Sequence, residues 1–268
     1  MAFNTAYDLD ALVVATKAAT VYTAQENSLF LGGGLIPAIQ LPAGSISAQV
    51  PVMGAVTAQK LTSAAHNVDD FNALGVTAAK VTISANIYAA RDVIRDLGGI
   101  DPSELGRSLG NAVAKAFDQD VITAMGSLTG STSDSDPVSV DAILDAVAQI
   151  RGAGEMGQLF GILSPAQTAI LMKAIGNQNY AGGDFQTEAL RNGFVGQIGG
   201  VRLFQSAYVS GTNKGFIFSQ DALRIAMFQN VDLEVQRRAA AVGNDIVASL
   251  HAGVGVIDAT RGVKLVNV

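Results

Sequence analysis

Ser45-Ile-Ser-Ala-Gln-Val-Pro-Val52 and Lys80-Val-Thr-Ile-Ser-Ala-Asn-Ile-Tyr88 both alternate apolar and polar residues. In the first stretch Ile46, Ala48, Val50 and Val52 share one face, with Ser45, Ser47 and Gln49 on the other. In the second, Val81, Ile83, Ala85 and Ile87 oppose Lys80, Thr82, Ser84 and Asn86. A period of two is the pattern of strands with one wet face, and two such strands pair naturally as antiparallel partners. Their connection, Met53 to Ala79, is far too long for a tight hairpin turn. Compact domains carry so long a connection only when it is functional or packs against something else. A two-stranded ribbon is also marginal alone in water. The pattern predicts an arm that needs a neighbour, which points toward assembly rather than catalysis.

Composition agrees without deciding the matter. Only 15% of the 268 residues are charged, against about 25% in an average globular domain. That fits a chain with much surface buried between subunits, and it also fits a merely Ala- and Gly-rich one. The length allows one large domain or two small ones. The formal charge is −6, and the 17 Lys and Arg residues form no basic cluster. Tight non-specific binding to a nucleic-acid backbone is therefore not expected, although a protein can enclose nucleic acid without gripping it. With no cysteine, disulfides, thiol nucleophiles and Cys-based zinc sites are impossible. The N-terminus lacks the basic and apolar regions of a signal peptide. No uncharged apolar run reaches the length of about 18 residues that a membrane-spanning helix needs.

Outward from the ribbon, residues 1–34 read as an N-terminal arm, with a weak helical pattern from Asp8 to Thr20 broken at Gly32-Gly33-Gly34. Within the insert, Ala55 to Ala65 suits a short helix, and a polar stretch follows at 66–70. Asp101-Pro102-Ser103-Glu104 is a strong helix start, and the helix should run to about Met125. Leu105, Leu109, Ala112, Val113, Ala116 and Phe117 form its apolar stripe, with Arg107, Asn111, Lys115 and Asp118 opposite. Gly106, Gly110 and Ala114 make a neighbouring strip of small residues. Each interior glycine costs about 1 kcal/mol relative to alanine, so the strip predicts close approach by another backbone.

Residues 126–137 read as a polar loop, and Val140 to Arg151 as a helix with Ile143, Leu144, Val147 and Ile150 inward. A buried strand at 158–163 precedes a helix that Ser164 and Gln167 would open as a capping box. An Asn- and Gly-rich loop at 176–183 and a short helix at 185–191 come next. Strands are expected near 201–209, 215–219, 232–237, 246–257 and 262–266, with a short helical piece at 222–227. Helix and strand mix without regular alternation, so the class is α+β.

The candidate chemical sites are weak. Gly152-Ala-Gly-Glu-Met-Gly157 matches a dinucleotide pattern, but a helix precedes it and a strand follows, the reverse of what phosphate binding needs. A helix cap and turn explain it better. Asp134-Ser-Asp136 lacks the remaining ligands and spacing of a calcium loop. His66 and His251 lie in distant segments, and no nucleophile elbow, phosphate loop or His-Glu-x-x-His motif occurs. No catalytic, cofactor or metal residue is nominated. Lys60 and Lys80 fall in the arm and its flank, while Arg91, Arg95, Glu104 and Arg107 surround the start of the long helix. These six are candidate inter-subunit contacts, beside the plainer reading of solvated surface charge. Exposed pairs contribute only a few tenths of a kcal/mol each, so they would set register more than stability.

This order of elements resembles the major capsid proteins of tailed bacteriophages, with the Hong Kong 97 type of fold. The resemblance rests on order and spacing over nearly the whole chain. Ser45 to Tyr88 matches the extended E-loop, and Asp101 to Met125 matches the spine helix. Gly196 to Ser206, Gly215 to Leu223 and Leu233 to Gln236 are similar to recurrent capsid patterns. The resemblance implies a 1–34 arm, a 45–88 E-loop, a peripheral domain from 89–138 plus 230–268, and an axial domain at 139–229. It further implies a non-enzymatic, cofactor-free shell protein that self-assembles as pentamers and hexamers around double-stranded DNA, with the E-loop reaching over a neighbour. Expected partners are a portal, a separate scaffolding protein and in some cases a decoration protein, with assembly in the bacterial cytoplasm. Some relatives cross-link a Lys to an Asn between subunits. Lys60 sits in the E-loop, but no feature identifies its partner, and no cross-link is expected. The alternatives are an encapsulin-type shell enclosing cargo enzymes, and a soluble α+β enzyme with an unusual flap.

Overall fold

The computed structural model describes residues 6–32, 34–42, 44–53, 78–95, 102–134, 138–177 and 194–267. The anticipated insert helix at 55–65, the polar stretch at 66–70, Asp101, the carboxylate pair's Asp136 and the short helix at 185–191 lie outside these residues.

The ribbon forms as its alternation requires. β2 (Ser47–Met53) and β3 (Ala78–Ser84) pair antiparallel, from Ser47 opposite Ser84 to Met53 opposite Ala78. Ala48 and Ile83 are buried opposite one another, while Gln49 and Thr82 face outward. The inward phase fails beyond Ala85. Ile87, expected inward, is 68% exposed, and Tyr88 and Ala90 turn in instead. The cause is a change of sheet. β3 pairs with β2, whereas β4 (Asn86–Arg95) pairs with β11 (Gly243–Val256). Ala85 lies between them, and its N–H donates to the Ile46 carbonyl. Ile46, placed on the apolar face by its sequence, is 84% exposed at the same junction.

β4 is one edge of a four-stranded sheet ordered β1-β10-β11-β4. β1 (Ala38–Gln40) runs parallel to β10 (Leu223–Arg238), and the rest is antiparallel. The helical piece expected at 222–227 is the start of β10. Leu223, Ile225 and Met227 are all buried there, and the pairing with β11 decides the conformation over the local pattern.

α2 (Pro102–Met125) crosses this sheet. Proline and an acidic residue in its first turn and Gly126 beyond its last residue set its bounds. Leu109, Val113, Phe117 and Val121 share a core with Ile225, Leu233, Ala248 and Leu250. Ala112 and Ala116, assigned to the apolar stripe, are exposed, and Asp118 is buried. The buried sector is rotated because a second helix covers part of α2. That helix is α1 (Ala6–Asn27). A Cβ added at Gly106 would sit 2.6 Å from the Thr16 carbonyl oxygen, and one at Gly110 would sit 2.5 Å from that of Thr20. The small-residue strip thus accepts the backbone of the arm helix. Thr16, Thr20 and Thr23 are buried at this contact, with the Thr20 hydroxyl donating to the Thr16 carbonyl at 2.8 Å.

The second sheet has six strands, ordered β5-β12-β9-β6-β8-β7. Its centre is β6 (Leu159–Leu163), buried throughout between β9 (Asn213–Ser219) and β8 (Val201–Gln205). β7 (Phe194–Ile198) joins β8 through Gly199-Gly200, both at positive φ. These angles suit the tight hairpin turns that glycine allows. β5 (Gly130–Asp134), within the stretch expected to be a loop, runs parallel to β12 (Gly262–Asn267). α3 (Val140–Gly152) packs Ile143, Ala146 and Ile150 on this sheet; Leu144, expected inward, is exposed. Ser164 accepts from the Gln167 N–H at the start of α4 (Pro165–Asn177), at 3.4 Å. The Gln167 side chain does not close the box but accepts from the Val138 N–H at 2.8 Å.

Candidate assembly site

Only the root of the ribbon is buried among the described residues. Ala48 and Ile83 pack with Ala226 and Phe228. Ile83 lies over Gly253 and Gly255 of β11, where a Cβ at Gly255 would come within 2.6 Å of Ile83 Cγ1. Two glycines on one strand leave a bare strip that seats the ribbon. Toward its far end Pro51, Met53, Ala78 and Lys80 share an exposed face.

Beside the root, β4 and α2 enclose an open trough of about 500 Å³, lined by Asn86, Ile87, Tyr88, Ala116, Asp120 and Thr123 among others. The Tyr88 hydroxyl donates to Asp120 Oδ2, and the Asn86 amide donates to the same oxygen at 3.2 Å. Burial and the adjoining Asp120 carboxylate push the Tyr88 hydroxyl well above its ordinary range, so it stays protonated and donates. Its ring meets Phe117 edge-on, with centroids 5.6 Å apart.

The six candidate contacts do not converge. Lys60 lies outside the described residues. Lys80 is exposed on the ribbon, opposite Pro51. Arg91 pairs within the chain, its Nε donating to Asp245 Oδ1 at 2.7 Å across to β11. That hydrogen bond and charge raise the Arg91 pKa and hold Asp245 below the usual carboxylate range. Arg95 ends β4 opposite Gly243. Glu104 and Arg107 are exposed on the first turns of α2.

Two buried carboxylates escaped the sequence reading. Asp118 is 3% exposed and fastens the end of the arm helix to α2. Ser28 Oγ donates to its Oδ1 at 2.6 Å, and the Leu29 N–H donates to its Oδ2 at 2.9 Å. Burial raises its pKa to about 6 even though these hydrogen bonds pull it down. The folded state therefore binds this proton more tightly than the unfolded chain. The stabilising contribution is full below about pH 4 and is lost as pH rises through about 6. The loss is on the order of 3 kcal/mol. Thermal unfolding of unassembled subunits from pH 4 to 7 should show this fall, and Asp118→Asn should flatten it. An unchanged slope in the variant would assign the pH dependence to other groups.

The second carboxylate is Glu155, only 8% exposed, at the place where the chain crosses between the sheets. The β9–β10 and β11–β12 connections meet there, with the Ile257 N–H donating to the Ala222 carbonyl at 2.8 Å. Arg261 Nη1 reaches Glu155 Oε2 at 2.8 Å, and its Nε reaches Asp258 Oδ2 at 3.0 Å. Removing Arg261 leaves a buried carboxylate without its cation. The guanidinium is partly solvated, which discounts the loss. Arg261→Ala is expected to lower subunit stability by about 1–2 kcal/mol, read from the urea midpoint. No change would mean that solvent replaces the pair.

Among the described residues no group of His, Asp and Glu could hold a metal ion, and no helix is long and apolar enough to cross a membrane. A protein-family model described as phage capsid protein matches residues 103–265, which is more than half the chain.

The chain belongs to the phage capsid protein family.

As a capsid protein it is a structural component of the virion shell, not an enzyme. Solved capsid structures share its fold, of the Hong Kong 97 type. The capsid of the cyanophage P-SCSP1u superposes with a TM-score of 0.68 at 17% identity, covering 87% of this chain and 86% of that one. The mature capsid of bacteriophage PhiM1 gives 0.66 at 17% identity, covering 90% and 88%. A virus-like particle from Pyrococcus furiosus gives 0.66 at 15% identity, covering 94% and 98%. No curated protein matches the capsid protein's sequence.

Proposed function

We propose that this capsid protein assembles through pentamers and hexamers into an icosahedral shell around double-stranded DNA, each subunit laying its ribbon across a neighbour. The observation that carries this reading is the ribbon itself. It is anchored at Ala48 and Ile83 and exposed toward Met53 and Ala78. A two-stranded ribbon is marginal unless something covers it. The formal charge of −6 supports a shell that encloses DNA without gripping it. The four-stranded sheet with α1 and α2 forms the core of a peripheral domain, and the six-stranded sheet with α3 and α4 that of an axial domain. A separate scaffolding protein, a portal and in some shells a decoration protein complete the particle, which assembles in the host cytoplasm.

The test is expression with and without a scaffolding partner, followed by sedimentation and negative-stain microscopy. Rings, tubes or closed shells are expected. A monodisperse monomer under both conditions would contradict the proposal. Shells filled with a cargo enzyme would favour the encapsulin-type reading that the Pyrococcus furiosus particle's similar fold keeps open.

A further inference from the structure

We infer that the trough between β4 and α2 is the seat for the ribbon of a second copy, with the neighbour's Lys80 entering it to pair with Asp120. This rests on the reading that the ribbon crosses a neighbour, and adds where it lands.

The two surfaces match in composition. Lys80 is the one charged side chain on the described ribbon, and it lies among exposed Pro51, Met53 and Ala78. The trough repeats that arrangement with the opposite sign. Its carboxylate, Asp120, sits beside the exposed Ile87 and Ala116. The described partners of Asp120, Tyr88 and Asn86, are both neutral. Among the described residues its negative charge is thus hydrogen-bonded but not balanced, and an incoming ammonium would complete it. The exposed Ile87 side chain would be covered at the same time, which accounts for an apolar residue held outward at the change of sheet.

Within one subunit Lys80 and Asp120 form no pair among the described residues; the described partners of Asp120 are Tyr88 and Asn86. Lys80 lies six residues along the chain from Asn86, a separation of up to roughly 20 Å at the rise of a strand. The inferred partner is another copy. Ribbon and trough are different surfaces, so a head-to-tail contact between them is heterologous and closes into a ring where the rotation allows, as pentamers and hexamers require.

Charge reversal tests the pairing. Lys80→Glu and Asp120→Lys should each reduce assembled material at least about tenfold, because like charges then face one another. The double variant should recover much of the loss. Circular dichroism and thermal unfolding of the unassembled subunits establish that each variant folds. A second measurement does not depend on Asp120 tolerating lysine. The chain has no cysteine, so Lys80→Cys with Asp120→Cys carries the sole two thiols, and a short bismaleimide should join subunits into a ladder on a denaturing gel. Single variants that assemble like wild type, or thiols that stay unlinked in assembled particles, would overturn the inference while leaving the shell reading intact. A wild-type protein that never assembles would overturn both.

Discussion

Gly253→Val is expected to unseat the ribbon and stop assembly. Any Cβ at Gly253 falls inside van der Waals contact with the Ser84 carbonyl and 2.9 Å from Ile83 Cγ2. Neither neighbour can yield cheaply. Ser84 belongs to the backbone of β3, and Ile83 is fully enclosed. Valine suits a strand, so β11 itself should persist while the ribbon root is pushed away. Overpacking of this kind costs about 1–3 kcal/mol, and more where backbone must move. The unassembled subunit should therefore lose about 3 kcal/mol or more, with faster hydrogen exchange confined to β2 and β3. Assembled particles should be nearly absent. Normal particles from this variant would show that the ribbon root is not needed to present the arm.

The second large effect is expected at Gly110→Leu. Leucine is a better helix former than glycine by up to about 1 kcal/mol, so α2 alone would be strengthened. The added side chain nevertheless meets the α1 backbone, with its Cβ 2.5 Å from the Thr20 oxygen and 3.2 Å from the Ala24 nitrogen. The arm helix must lift, taking the buried Thr20 and Ala24 with it. A net loss of about 2–3 kcal/mol is expected, together with rapid proteolysis within 6–27. Ala112→Leu, on an exposed position of the same helix, supplies the control. It should change stability by less than about 0.5 kcal/mol. Equal effects at both positions would rule out close helix contact as the cause.

How far the sequence revealed this molecule depends on where each conformation is decided. The ribbon and α2 were legible because their patterns are local. Alternation put Ala48 and Ile83 on the apolar faces of the two strands, and Pro102 and Gly126 bounded the helix. The Gly106 and Gly110 strip even announced a close neighbour, though not which one. Legibility failed where a partner strand decides. Gly130-Ser-Thr-Ser-Asp134 has no apolar alternation and becomes a strand by hydrogen bonding to β12 at the sheet edge. The short apolar run at 222–227 suits a helix as well as a strand, a known ambiguity, and pairing with β11 draws Leu223 to Met227 into the sheet.

The site was less visible still. Asp118 and Asp120 look like ordinary surface acids on a helix, and only the arm helix and β4 give them their roles. Of the six charges chosen from sequence, Arg91 is engaged within its own chain by Asp245, a residue 154 positions away. Lys80 is the one that the inferred seat for a neighbour's ribbon would use.

The most direct test is a cryo-electron microscopy reconstruction of assembled particles at a resolution that traces strands. Each ribbon should leave its own subunit at Ala85 and lie across the adjacent one, with residues 51–53 and 78–80 against its β4 and α2. Closed particles in which every ribbon contacts only its own subunit would contradict the account.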